Sequence, residues 1–217
     1  MSFWNKFKHL FFSILAPCIE IMLGAVLTLL FLFLVSPLFS LPADAETTHL
    51  WGGIFSKLGA MTLVLYFYCH KIFPFTWQFS KVKISVVFLA FGITTAWWFI
   101  RFFINYGSFT GLTFAEHSSV YIASLIFLKS IILAPVLEEL LFRKWMFGYL
   151  KSKDFSPVFI LLFTSALFYL WHGEFHRWEL FISGLLFGVF YLKGKNIAYP
   201  IICHMLLNIL SDRKSVV

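Results

Sequence analysis

The chain has 217 residues, of which 60% are hydrophobic and only 12% are charged, and its mean hydropathy is +0.87. A water-soluble domain needs far less apolar sequence to fill its core, so this composition indicates an integral membrane protein. Lysine and arginine exceed the acidic residues by 17 to 10, which gives a net charge of +7. Because these cations cluster at the ends of apolar segments, they indicate contacts with lipid headgroups and not with nucleic acid.

The hydropathy pattern predicts an all-α, polytopic bundle in which residues 1–217 form a single integral membrane domain. We predict seven membrane segments, or eight if the long fourth one hides a boundary, at 12–41, 52–72, 83–104, 119–149, 155–174, 178–193 and 196–211. The first segment is too long to be the apolar part of a signal peptide, so we interpret it as a retained helix.

Three widely spaced cysteines in apolar sequence indicate neither a disulfide framework nor a cysteine zinc site.

Positive charge alternates between the connections of these segments and predicts a cytoplasmic N-terminus. Cations are frequent before residue 12 and at 71–83, 143–154 and 193–195, and they are scarce in the connections between. Arg213 and Lys214 break the pattern, because a seventh complete span would place them outside. A half-span or re-entrant last helix, or a missed segment within 119–149, would reconcile them with it.

Ionisable side chains inside apolar segments cost about 2.5–3.5 kcal/mol each on insertion scales, so they usually face a cavity or one another. Glu138 and Glu139 are adjacent, and neighbouring residues point about 100° apart on a helix, so we expect different roles for them. Arg143 follows Glu139 at the i, i+4 spacing of an ion pair. The alternative is a charge cluster that merely ends the helix. The same filter selects Glu20, Lys129, His172 and His204, with Asn208 as a neutral companion.

Two further i, i+4 pairs place polar groups on helix faces. Phe168 and His172 share one face, and His204 and Asn208 share another. His172 could be an interfacial histidine, and His204 with Asn208 could be a polar clamp between helices. Helical rises counted from the cationic connections nevertheless bring these groups to similar depths as Glu138, which makes a shared buried site plausible.

A carboxylate, two imidazoles and a carboxamide around a water-filled cavity suit hydrolysis, because one group can take a proton from water while donors stabilise an oxyanion. Serine and cysteine lack a comparable activating context in this sequence, so a covalent nucleophile is not expected. Zinc is an alternative, held by Glu138, His172 and His204. We favour metal-free catalysis without a cofactor, because the sequence has no His-Glu-x-x-His zinc helix.

Three motifs occur in order, each on its own predicted helix: Glu138-Glu139-Leu-Leu-Phe-Arg143, Phe168-Tyr-Leu-Trp-His172 and His204-Met-Leu-Leu-Asn208. Together they resemble the CAAX protease and bacteriocin-processing family (CPBP or Abi), which is similar to type II CAAX prenyl endopeptidases. The resemblance covers the motif-bearing half, 119–211. It implies that Glu138 and His172 activate water, that His204 and Asn208 form the oxyanion hole, and that Glu139 and Arg143 support them. It also implies a cavity reached from the cytoplasmic side.

The resulting expectation is an intramembrane endopeptidase of a bacterial cell membrane that acts on a peptide or membrane-protein substrate and has the lipid bilayer as its surroundings. Bacteriocin immunity, peptide maturation and regulatory signalling all fit such an enzyme. A non-catalytic immunity or regulatory protein that binds a peptide or membrane partner is the main alternative. A small proton-coupled transporter is a third, although inverted repeats and broken helices are not evident.

Other charged groups are interpreted as structural. Glu20 and Lys129 are expected to pair across helices or to extend toward the headgroups. Four polar residues crowd the connection that follows His172, where they form either a gate for substrate or a solvated loop. They are Glu174, His176, Arg177 and Glu179.

Overall fold

The computed structural model describes residues 3–35, 45–71, 81–106, 112–114, 120–174, 176–211 and 213–215. These residues form seven helices: α1 (Phe3–Leu30), α2 (Ala45–Lys71), α3 (Ile84–Tyr106), α4 (Val120–Lys151), α5 (Pro157–Trp171), α6 (Glu179–Gly194) and α7 (Ala198–Ser211). Strand β1 (Leu112–Phe114) pairs antiparallel with β2 (Arg213–Ser215). The prediction of an all-α bundle is confirmed, with this short strand pair as the exception in the part described.

The predicted segments coincide with the seven helices, but two predicted starts are wrong. The first helix begins at Phe3 instead of 12, and the second begins at Ala45 instead of 52. Hydropathy locates only the part of a helix that lipid surrounds, whereas backbone hydrogen bonds carry the helix on into its polar flank. The end predicted for the first segment, at 36–41, lies outside the described residues.

Three of the described helices are long and apolar enough to cross a membrane: Trp4–Leu30, Ile84–Ile104 and Val120–Lys151. Helices α5 and α7 are apolar but have only 15 and 14 residues. At 1.5 Å per residue they are roughly 21–23 Å long, against about 30 Å for a hydrocarbon core. Because β2 lies beside β1, α7 ends at the same end of the bundle as α3. Arg213 therefore lies at the end of the bundle opposite to the start of α1. An odd number of membrane crossings, here seven, would place it there.

Helix α4 carries the first motif and departs twice from regular α geometry. A π-helical stretch at Phe127–Leu133 precedes Pro135, and a second one, Leu140–Met146, contains Arg143. Proline has no backbone N–H and cannot complete the α-helical ladder, so a wider turn before it is the expected accommodation. The half of α4 that follows Pro135 is almost wholly buried among the other helices.

Helices α5 and α6 approach closely because small residues line their contact. A Cβ atom placed on Gly184 would lie 3.2 Å from the Cα of Ser165 and 3.4 Å from a guanidinium nitrogen of Arg143. Small residues at such contacts let helices pack by van der Waals attraction where lipid provides no hydrophobic drive. This approach brings the second motif, at the end of α5, against the first motif on α4.

Candidate active site

Glu138 and Glu139 lie side by side in α4 and are both buried, with exposed fractions of 4% and 0%. Their side chains diverge, as helical geometry requires of neighbours. Glu138 lines a cavity together with the second and third motifs, whereas Glu139 is absent from the lining of that cavity. The two carboxylates therefore meet different partners.

Glu139 joins two of the motifs behind the cavity wall. Its Oε2 lies 3.2 Å from Nε of Arg143, which is the ion pair predicted from the i, i+4 spacing. Its Oε1 lies 3.0 Å from Nδ1 of His204. Arg143 also donates to the carbonyl of Gly184 at 2.8 Å, and its guanidinium lies 4.7 Å from the ring centre of Phe168. Each buried charge thus has a partner, and the cluster ties α4 to α5, α6 and α7.

Glu138 presents one oxygen to a cation and the other to an imidazole. Its Oε1 forms an ion pair with Nζ of Lys57 on α2. Its Oε2 lies 3.9 Å from Nε2 of His172. That separation is too long for a direct hydrogen bond, and it lets one water molecule sit about 2.8 Å from both atoms.

His172 is oriented by its own helix. Its Nδ1 lies 2.7 Å from the backbone carbonyl of Phe168, one turn earlier. Because a carbonyl only accepts hydrogen bonds, Nδ1 carries a proton, and in the neutral ring Nε2 presents its lone pair toward Glu138. The phenylalanine of this motif also packs its ring 4.6 Å from the imidazole.

His204 is held between a carboxylate and an aromatic ring. Its ring stacks on Phe187 at a centroid distance of 4.7 Å and an interplanar angle of 20°. Since the Glu139 carboxylate accepts from Nδ1, the nitrogen left for a ligand is Nε2. His204 is 4% exposed, and that exposed part lies in the cavity.

Asn208 follows one turn after His204 and is anchored by the irregular part of α4. Its Nδ2 donates to the carbonyl of Ser130 at 2.8 Å. In this stretch the backbone N–H of Ala134 donates to the carbonyl of Lys129, five residues back. By the same spacing, the carbonyl of Ser130 would accept a hydrogen bond from the backbone N–H of residue 135, which is a proline. Proline has no N–H, and the Ser130 carbonyl is therefore left for the asparagine.

A cavity of about 390 Å³ connects these groups. Its wall contains all four residues predicted to be catalytic, which are Glu138, His172, His204 and Asn208. The supporting residues Glu139 and Arg143 lie behind that wall. The cavity reaches Arg101 near the end of α3, Arg177 after α5 and Ser211 at the end of α7. It therefore extends toward the end of the bundle opposite to the start of α1.

Because the cavity extends in this direction, two expectations from the sequence conflict. Charge alternation predicts a cytoplasmic N-terminus, and the family resemblance implies access from the cytoplasm. With the N-terminus in the cytoplasm, the cavity would extend toward the other face of the membrane.

The connection after His172 is an ordered ion-pair network. Arg177 pairs with Glu174 and, at 3.1 Å, with Oε1 of Glu179. Burial alone would lower the pKa of Arg177, but the hydrogen bonds to the two carboxylates outweigh burial and raise it. A guanidinium that remains positive thus borders the cavity, where the sequence left a gate or a solvated loop as alternatives.

The residues present do not form a metal site as they are arranged. Among the residues described, no three His, Cys, Asp or Glu side chains converge closely enough to hold a metal ion. In the zinc alternative Glu138 would have to leave Lys57, and His204 would have to use the nitrogen that faces away from Glu139.

Sequence reasoning missed Lys57, although a signal was present. Lys57 lies inside the predicted segment 52–72, so it meets the same criterion, an ionisable side chain within an apolar segment, as the residues that were selected. Glu20, which that filter did select, is 5% exposed and lies within electrostatic range of both Lys57 and Glu138. Lys129 borders the same cavity.

Comparison with known proteins bears directly on the motif-bearing half. A family model described as "Type II CAAX prenyl endopeptidase Rce1-like" matches residues 121–210. Over these residues the chain is similar to that family. The family resemblance of the three motifs is thereby confirmed over these residues, and together with the apolar helices it identifies an integral membrane protein.

Two curated bacterial proteins are similar to part of the chain. "Putative membrane peptidase YdiL" of Bacillus subtilis (strain 168) is 34% identical over 85 residues, which are 39% of this chain and 34% of the relative. "Membrane-embedded CAAX protease MroQ" of Staphylococcus aureus (strain USA300) is 39% identical over 89 residues, 38% of this chain and 36% of the relative. The chain thus spans about a third of the length of these relatives. No solved structure matches it significantly.

Proposed function

We propose that this chain is an intramembrane endopeptidase that hydrolyses a peptide bond with a water molecule activated by Glu138 and His172. The observation that carries the proposal is the 3.9 Å spacing of Glu138 Oε2 and His172 Nε2 on the wall of a cavity that also presents His204 and Asn208. The names of both relatives, a membrane peptidase and a CAAX protease, support hydrolysis of a peptide bond.

The reaction begins with water between Glu138 and His172. Glu138 takes a proton as general base, with His172 as its partner, while the water oxygen attacks the scissile carbonyl carbon. The resulting tetrahedral intermediate carries an oxyanion. When it collapses, the C–N bond breaks and the stored proton passes to the leaving amine, so that the products are a carboxylate-ended and an amine-ended fragment.

The oxyanion is stabilised by His204 and Asn208. A carboxamide nitrogen has two hydrogens, and only one of those on Asn208 is needed for the Ser130 carbonyl. His204 donates from Nδ1 to Glu139, so donation from Nε2 requires a second proton on the ring. In this assignment Glu139 positions the imidazolium, and Arg143 balances the charge of Glu139.

The proposed substrate is a peptide or a membrane-associated protein, cleaved without a metal. The proposed location is a bacterial cell membrane with the N-terminus in the cytoplasm. The non-catalytic alternative, an immunity or regulatory protein, uses the same cavity for binding and does not require an ionisable Glu138.

The deciding experiment is cleavage of a peptide library by the purified full chain in lipid, followed by mass spectrometry. Glu138→Gln should lower turnover by roughly 10²–10⁴-fold, the usual contribution of a general base. Asp154→Asn, a carboxylate in the α4–α5 connection, is the matched control and should behave like wild type. A fully active Glu138→Gln variant would refute the protease proposal. Turnover that a chelator abolishes and zinc restores would refute its metal-free mechanism.

A further inference from the structure

Lys57 contributes a charge to the candidate site from outside the region that carries the three motifs. It lies on α2, 81 positions before Glu138, whereas the family match begins at residue 121. Its side chain lines the cavity and is 24% exposed, and the Glu138 side chain that it contacts is 5% exposed. The first half of the chain thus supplies more than surrounding helices.

The ion pair divides the two oxygens of Glu138 between different neighbours. Lys57 occupies Oε1, and Oε2 is left facing His172 at 3.9 Å. A carboxylate with a free torsion could present either oxygen to either neighbour, and a fixed cation on one of them removes that freedom. The arrangement therefore determines which oxygen meets the water molecule.

Neighbouring carboxylates explain why Lys57 is held at this position. Glu20 of α1 acts on Lys57 from a second helix, and Glu138 acts on it from α4. The ion pair with Glu138 compensates the charge of Lys57, so the position of the ammonium depends on how α2 packs against α4. The anchoring of α4 to α6 and α7 does not depend on it, because Arg143 and Glu139 provide that contact.

We propose that Lys57 is a positioning residue for the general base: its ammonium holds Glu138 Oε1 so that Oε2 faces His172 and the attacking water. This inference rests on the proposed protease function. It assigns to α2 a part in the reaction that the motif-bearing half alone does not supply.

The test compares Lys57→Met, which keeps length and apolar stem but loses the charge, with Lys57→Arg, which keeps the charge. Lys151→Met is the matched control, because Lys151 is exposed at the end of α4 and does not line the cavity. Lys57→Met should lower kcat by at least about tenfold and change KM by less than about threefold, as expected when geometry at the reacting group is lost. Lys57→Arg should recover a substantial part of kcat, and Lys151→Met should keep the wild-type kcat.

Each outcome separates this inference from the proposed function. If a folded Lys57→Met variant had the same kcat as the wild type, the positioning role would be overturned. The protease proposal would still be supported if the wild-type chain cleaved peptides and Glu138→Gln were inactive. Absence of cleavage by wild type would count against the protease itself. Lys57→Gln repeats the test if Lys57→Met does not fold. Loss of folding in both variants would overturn the inference, since Lys57 would then be required for the bundle and not for Glu138 alone.

Discussion

At the scale of single residues, the site separates two neighbouring carboxylates by their partners. Glu138 meets a lysine, an imidazole and the cavity, whereas Glu139 meets a buried guanidinium and a second imidazole. Burial of a charge is tolerated only when a partner compensates it. Glu139 therefore links α4 to α7, and the proposal assigns the chemistry to Glu138, which faces the cavity.

Replacing each carboxylate by its amide should separate stability from activity. Glu139→Gln leaves Arg143 buried without an anion, and the loss of one partner of a buried pair costs about 3–5 kcal/mol. Glu138→Gln removes the ion-pair partner of Lys57, and the Lys57 side chain is partly exposed, so its cost should be smaller. Thermal unfolding in one detergent should give a lower Tm for Glu139→Gln than for Glu138→Gln. Equal melting temperatures would contradict this division.

At the scale of the element, the irregular geometry of α4 has a direct effect on the site. Pro135 cannot donate a backbone hydrogen bond, and the Ser130 carbonyl that it leaves free accepts from Asn208. The same helix supplies both glutamates within four residues of that proline. A local sequence feature of α4 thus orients a group on α7.

Pro135→Ala should loosen that link. The new N–H competes with Asn208 for the Ser130 carbonyl, and a net hydrogen bond is worth about 0.5–1.5 kcal/mol, which is up to roughly a tenfold loss of kcat. Helix stability should not suffer, because alanine is the better helix former. Pro157→Ala, at the start of α5, is the control and should leave kcat unchanged. Unchanged kcat in Pro135→Ala would show that Asn208 does not depend on this carbonyl.

At the scale of the molecule, local patterns were predictable and distant pairings were not. Helical periodicity fixes which residues share a face, so the Glu139–Arg143 ion pair followed from spacing alone. The contact of His204 with Glu139 spans 65 positions, and that of Lys57 with Glu138 spans 81. Such contacts depend on how helices pack. Spacing contains no information about packing, and for that reason the pairing of Lys57 with Glu138 could not be predicted from it.

The orientation of the whole bundle decides which membrane face the cavity serves. Cysteine labelling tests it, in a background in which Cys18, Cys69 and Cys203 are replaced. His176 is exposed in the connection at the cavity end, and Lys151 is exposed at the other end. Charge alternation predicts that an impermeant maleimide labels His176→Cys in intact cells and labels Lys151→Cys only after permeabilisation.

The opposite labelling pattern would show the opposite orientation of the bundle. If only Lys151→Cys were labelled in intact cells, the N-terminus would lie outside and the positive-inside interpretation would be wrong. The cavity would then extend toward the cytoplasm, as the family resemblance implies. With the predicted pattern, a substrate that enters along Arg101, Arg177 and Ser211 approaches from the outer face, because these residues line the cavity at that end. One labelling experiment therefore determines on which side of the membrane substrates should be sought.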